Sequence, residues 1–182
     1  MDTTTPRHAA VDMDLETFRR LGHQLVDALA THLAGIASGP VTVHETPAAI
    51  RAAFDGDAPL PEAGADPEAM LSGLVPRLFT HSLFNAHPRF FGYITASPTP
   101  IGMLGDFLAS ALNANVGSWT LSPIATEIEV QTVRWMAQFI GYPADCGGLL
   151  VSGGNMANIV GFLAARAAAA TWDVRAEGVA AG

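Results

Sequence analysis

Between an apolar run, Leu149 to Val151, and an alanine-rich helix stands the segment Ser152-Gly153-Gly154-Asn155. Glycines leave backbone N–H groups unscreened where a helix begins, and the positive end of the helix dipole favours an anion there. A phosphate suits such a turn; a tight strand-to-helix turn with no ligand would use the same residues. Neither the GK[ST] ending of a nucleoside-triphosphate loop nor a G-x-G-x-x-G fingerprint is present. A second group, Phe90 to Tyr93 with Thr95 and Ser97, combines aromatic walls with hydroxyls that could orient a substrate, although taken alone core packing accounts for them better. His23 and His32 are expected on the polar side of a helix, with His81 and His87 about a helix end. None stands with acids or cysteines at metal-ligand spacing, so no metal is expected. Asp106 and Glu127 could serve as an acid or base, or could simply be paired carboxylates.

All nine Lys+Arg residues are arginine. Chemistry that begins with a lysine amine condensing on a carbonyl therefore has no side-chain nucleophile among these 182 residues.

The elements that must position these groups follow from periodicity. Leu15, Phe18, Leu21, Leu25, Leu29, Leu33 and Ile36 recur at three and four, predicting an amphipathic helix from Asp14 to Ile36 that Gly39 and Pro40 end. Residues 41–66 read as a connecting segment with a short helix around Pro47 to Phe54. Asp66-Pro67 starts a helix bearing Leu71, Leu74, Val75, Leu78 and Phe79, which Pro76 should kink or split. These helices cannot close a core of their own, so a partner subunit is expected to cover them. Thr99-Pro100 and Ser122-Pro123 begin two further helices. The first is expected to bury Ile101, Leu104, Leu108, Ala111 and Leu112; the second to bury Ile124, Ile128, Met136 and Ile140, with Glu127 and Glu129 near the positive end of its dipole. Leu149 to Val151 is predicted as a strand, and the helix after the glycines runs to about Trp172.

Composition limits the function. With 49% hydrophobic residues and a mean hydropathy of +0.29, the chain has material for a core. A net charge of -8 disfavours nucleic acid and anionic membrane surfaces as partners and leaves small-molecule chemistry or protein association. Apolar runs break well before the roughly 20 residues of a membrane helix. No secretory signal is expected, and the single cysteine, Cys146, suits a reducing compartment; a cytoplasmic protein is the reading.

Taken in order, MDLETFRRLGHQLVDALATHL, HPRFFGYI, TASPTPIGMLGDFLASALN, NVGSWTLSPIATEIEVQTVRWM and GGLLVSGGNMANIVGFLAAR resemble the group II pyridoxal-phosphate-dependent amino-acid decarboxylases, the aromatic-L-amino-acid decarboxylase-like enzymes, over residues 12–170. The resemblance implies an α/β, type I aminotransferase-like fold in the complete protein. In these residues it implies a mostly helical amino-terminal segment followed by the first strand-turn-helix of the large domain. Residues 1–90 would be a dimerisation segment and residues 91–182 the start of a truncated pyridoxal 5'-phosphate-binding domain. It also implies a homodimer, an L-amino-acid substrate with aromatic ones favoured, and decarboxylation to the amine and CO2. Gly153, Gly154 and Asn155 would hold the cofactor phosphate, and Tyr93 and Thr95 would border the substrate. The Schiff-base lysine would lie beyond Gly182, so these residues alone would be inactive and carry no catalytic residue. A non-catalytic dimerisation module, and another reaction of the same cofactor such as aldehyde formation or transamination, are the alternatives.

Overall fold

A computed structural model describes residues 12–179, all of whose regular elements are helices. They fall into two compact units, one reaching Met103 and the other starting at Leu104.

In the first unit, α1 (Leu15–Gly35) begins where the Asp14 carboxylate accepts the Thr17 N–H at 2.8 Å, a bond that holds this carboxyl below its ordinary value. One 3-10 turn, Ile36–Ser38, completes the expected ending at Gly39. The short α2 (Pro47–Phe54) is capped by Thr46, and α3 (Pro67–Thr80) by Asp66, whose carboxylate takes the Ala69 N–H at 2.8 Å. Pro76 does not split α3, which runs on to Thr80. A proline removes only one intrahelical donor, and the bonds on either side carry the helix past it.

Helix α1 packs on α3. Leu21, Leu25 and Ala28 face Leu71 and Val75 across a shallow groove, and Arg20 meets Glu68 at 2.7 Å. His32 is not on a polar side: its ring stacks on Phe79 with centroids 4.1 Å apart and lies 5.0 Å from Phe84. The α1 stripe is simply wider than the leucine positions suggest, and an imidazole offers a flat face to an aromatic neighbour. His81 Nδ1 pairs with Glu45 at 2.6 Å. His87, 3% exposed, uses both ring nitrogens. Its Nε2–H donates to the Gly39 carbonyl at 3.1 Å, and its Nδ1 accepts the Arg89 N–H at 3.0 Å. With Phe84 N–H on the Val41 carbonyl at 3.1 Å, the aromatic loop is tied to the chain that leaves α1.

The second unit holds the rest of α4 (Pro100–Leu112), then α5 (Pro123–Phe139), α6 (Gly154–Ala169) and α7 (Val174–Glu177), the last capped by Asp173. The predicted helix to Trp172 thus ends three residues earlier. The expected stripes are present but not buried: Ile101 is 77% exposed, and Leu108, Ile124 and Met136 all lie open. No neighbouring element covers them, and among the described residues Leu21 and Ala137 are the buried hydrophobic side chains. The predicted strand at Leu149 to Val151 is irregular chain. A strand is defined by its ladder, and no second strand lies among the described residues to supply one.

The Arg20 guanidinium hydrogen-bonds Glu68 and holds its carboxyl below the ordinary value of 4.5, while the Arg20 value rises. The folded state therefore favours charged Glu68, so the contribution is present above that ordinary value and disappears as the pH falls through the depressed one. Relative to Glu68→Gln, the protein should show a higher denaturation midpoint at neutral pH and an equal one in strong acid. A gap that persists in acid would mean that the pair does not act through charge.

Candidate functional site

The turn before α6 is shaped by backbone conformation. Gly153 adopts φ 156°, ψ 175°, a region open essentially to glycine alone, and serves as the N-cap of α6 without a side-chain cap. The helix ladder starts with Ala157 N–H on the Gly153 carbonyl at 3.0 Å. The N–H groups of Gly154, Asn155 and Met156 therefore precede it as the orphan donors of a helix start. A Cβ placed on Gly153 or on Gly154 would meet nothing within 4 Å, so the space in front of the turn is open. Open donors, a positive dipole end and an adjacent amide side chain are what an oxyanion such as a phosphate monoester needs. The phosphate end of pyridoxal phosphate fits this turn. An amine for its aldehyde end is absent, because the 182 residues contain no lysine.

The chain entering the turn rests on α5. Glu129 Oε1 accepts the Leu150 N–H at 2.8 Å, and a Cβ on Gly148 would come within 2.7 Å of Val133 Cγ1. The predicted association of Glu127 and Glu129 with the helix dipole does not occur, since neither lies in the first turn of α5. Glu127 instead accepts the Trp119 indole N–H at 2.8 Å, the paired-carboxylate reading of this residue. Asp106 is exposed on α4.

Tyr93 and Thr95 belong to the first unit. Both are exposed, Tyr93 by 85%, and Tyr93 sits at φ 59°, an uncommon conformation for a bulky residue, with its ring 6.3 Å from that of Phe90. Asn85 steadies this loop by donating from Nδ2 to the Ala96 carbonyl at 3.1 Å and accepting the Ser97 hydroxyl at 3.4 Å. The fold thus joins Gly153, Gly154 and Asn155 in one turn, and Tyr93 and Thr95 in one loop. Glu129, His87 and Asn85 escaped the sequence reading as positioning groups. Their partners are main-chain atoms 21, 48 and 11 residues away, a kind of contact that leaves no periodic signal.

Among the described residues no cluster of three or more His, Cys, Asp and Glu could hold a metal ion, and no helix is long and apolar enough to cross a membrane.

Comparison with known proteins places the chain in a family. The family model described as the pyridoxal-dependent decarboxylase conserved domain matches residues 49–180. An aromatic-L-amino-acid decarboxylase of Bacillus atrophaeus is 31% identical over 90% of this chain and 34% of its own length. A tyrosine decarboxylase of Oryza sativa subsp. japonica is 36% identical over 88% of this chain and 30% of its own. A phenylacetaldehyde synthase of Petunia hybrida is 34% identical over 79% and 27%. Among solved structures, an Oryza sativa TDC with PLP and tryptamine superimposes with a TM-score of 0.75 at 26% identity, over 92% of this chain and 34% of that one. The chain spans about a third of the length of the relatives it matches. Because the family model covers most of its length, the chain belongs to the pyridoxal-dependent decarboxylases, a family that works with pyridoxal 5'-phosphate.

Proposed function

We propose that these residues are the amino-terminal part of an enzyme that decarboxylates an L-amino acid, preferably an aromatic one, to the amine and CO2. The observation that carries this is the uncapped turn at Gly153 and Gly154 inside a chain of this family. Backbone N–H groups of the turn and the Asn155 amide receive the cofactor phosphate and anchor it. When bound, the cofactor supplies the electron sink that accepts the pair left behind as CO2 departs. Tyr93 and Thr95 border the substrate: the exposed ring gives an aromatic side chain a flat surface, and the hydroxyl gives it a polar contact. The names of the relatives, tyrosine and aromatic-L-amino-acid decarboxylases, support an aromatic substrate. Because the 182 residues hold no lysine, the amine that joins the cofactor comes from another part of the protein, and these residues alone are inactive. A lone Cys146 suits a cytoplasmic location.

A second reading, aldehyde formation on the same scaffold, is favoured by the Petunia relative. The products separate the two. The complete protein given L-tyrosine, L-tryptophan or L-phenylalanine should release CO2 and the corresponding amine in equal amounts, and the 182-residue chain should release neither. Aldehyde as the main product would replace the first reading by the second.

The complete protein should be a homodimer. Phe18, Met70 and Leu78 of the first unit and Leu104, Phe107 and Ile124 of the second stay exposed on their helices, apolar faces that a second copy would help to cover. Sedimentation equilibrium at micromolar concentration should give twice the chain mass; a stable monomer would refute it.

The turn has its own test. In the complete protein, Gly154→Val places a branched side chain in the open space before the helix, so the dissociation constant for pyridoxal phosphate should rise steeply. The melting temperature without cofactor should fall little, since a Cβ there meets nothing. Asn155→Ala should be milder, losing one donor worth about 1–3 kcal/mol to a charged acceptor. Unchanged cofactor binding in Gly154→Val would show that the turn is only a turn.

A further inference from the structure

The chain entering the phosphate turn has no β-ladder among the described residues, yet it is held at one backbone donor. Glu129, half-buried on α5, directs Oε1 at the Leu150 N–H, 2.8 Å away. Beside it, Gly148 lies so close to Val133 that an added Cβ would stand 2.7 Å from Cγ1. Two contacts on one helix, a charged acceptor and a close approach that only glycine permits, therefore fix residues 148–150 immediately before Ser152-Gly153-Gly154-Asn155.

We infer that Glu129 is a positioning residue for the cofactor phosphate: by holding Leu150 against α5 it sets the direction in which the N–H groups of Gly154 and Asn155 point. The inference rests on the reading of this turn as the phosphate site. Physically, a flexible approach segment would have to be ordered by the ligand itself, and that ordering subtracts from affinity; a segment already fixed by a charge-assisted bond avoids the loss. The carboxylate also carries a negative charge, which taken alone would weaken phosphate binding, so the two effects have opposite signs. Since Glu129 is engaged by a backbone donor, positioning is expected to outweigh repulsion. The isosteric amide separates the two, because Glu129→Gln keeps an oxygen acceptor and removes the charge.

The experiment uses the complete protein without cofactor, measuring dissociation constants for pyridoxal phosphate and for pyridoxal, which lacks the phosphate. Glu129→Ala should weaken pyridoxal phosphate by about tenfold, the scale of one charge-assisted hydrogen bond, while leaving pyridoxal within about twofold. Glu129→Gln should bind both like the parent. Gly148→Ala, which pushes the same segment off α5 by another route, should reproduce the selective loss and serves if Glu129→Ala does not fold. Gly154→Val checks the turn itself. If Gly154→Val loses the cofactor but Glu129→Ala binds it as tightly as the parent or more tightly, the positioning role is wrong and the phosphate turn stands. Equal weakening of both ligands together with a lower melting temperature would make Glu129 a general structural residue and overturn the inference. Full binding by Gly154→Val would remove the phosphate site and the inference with it.

Discussion

Apolar burial is the quantity this chain has least of. Among the described residues Leu21 and Ala137 are the hydrophobic side chains taken out of water, while Leu104, Phe107, Ile124, Phe139 and Phe162 remain largely exposed. A helix in that situation takes little stability from packing and relies on its own ends and on a few directed bonds. Among the described residues Asp14, Thr46, Asp66, Thr99 and Asp173 cap five of the seven α-helices with side-chain oxygens. Arg20 with Glu68, Glu45 with His81, and His32 with Phe79 then tie the first unit across distances that helix geometry alone would not close. The same shortage makes the uncovered stripes meaningful, because apolar faces of this extent in a folded protein are normally covered by another surface.

Within that setting His87 and Glu129 play similar parts in different units. Each is a polar side chain that reaches a main-chain atom far away in sequence and fixes a segment with no regular structure. His87 joins the aromatic loop to the chain leaving α1, and Glu129 joins the approach to the glycine turn to α5. Hydrogen bonds of this kind contribute modestly to stability but strongly to direction, since their geometry is narrow and their loss leaves a donor or acceptor without a partner. Both segments border the regions on which the proposed chemistry depends.

As the proposed phosphate site, the turn requires little side-chain chemistry. Gly153 contributes a backbone conformation, Gly154 contributes open space, and Asn155 contributes one amide; the charge complement comes from the helix start. Nothing in the turn performs bond-making. In the proposed enzyme, anchoring and reaction are therefore carried by different parts, and the anchoring role proposed for the turn needs no lysine.

Much was legible in the residues themselves. Helix starts followed from Asp66-Pro67, Thr99-Pro100 and Ser122-Pro123, because a proline at the first helical position, with or without a capping side chain before it, acts on neighbouring atoms alone. The glycine turn at 153–154 was readable for the same reason, as its conformation belongs to the glycines. The order and spacing of the motifs from the first helix to Arg166 pointed to the family. What the sequence could not determine was anything that depends on a distant partner. The strand expected at Leu149 to Val151 is irregular because a ladder requires a neighbour. The stripes of α4 and α5 are exposed because amphipathicity states which face should be covered and not what covers it. His32 belongs to an aromatic stack, and Glu127 and Glu129 hold Trp119 and Leu150, because tertiary structure alone brings such groups within hydrogen-bond or stacking distance.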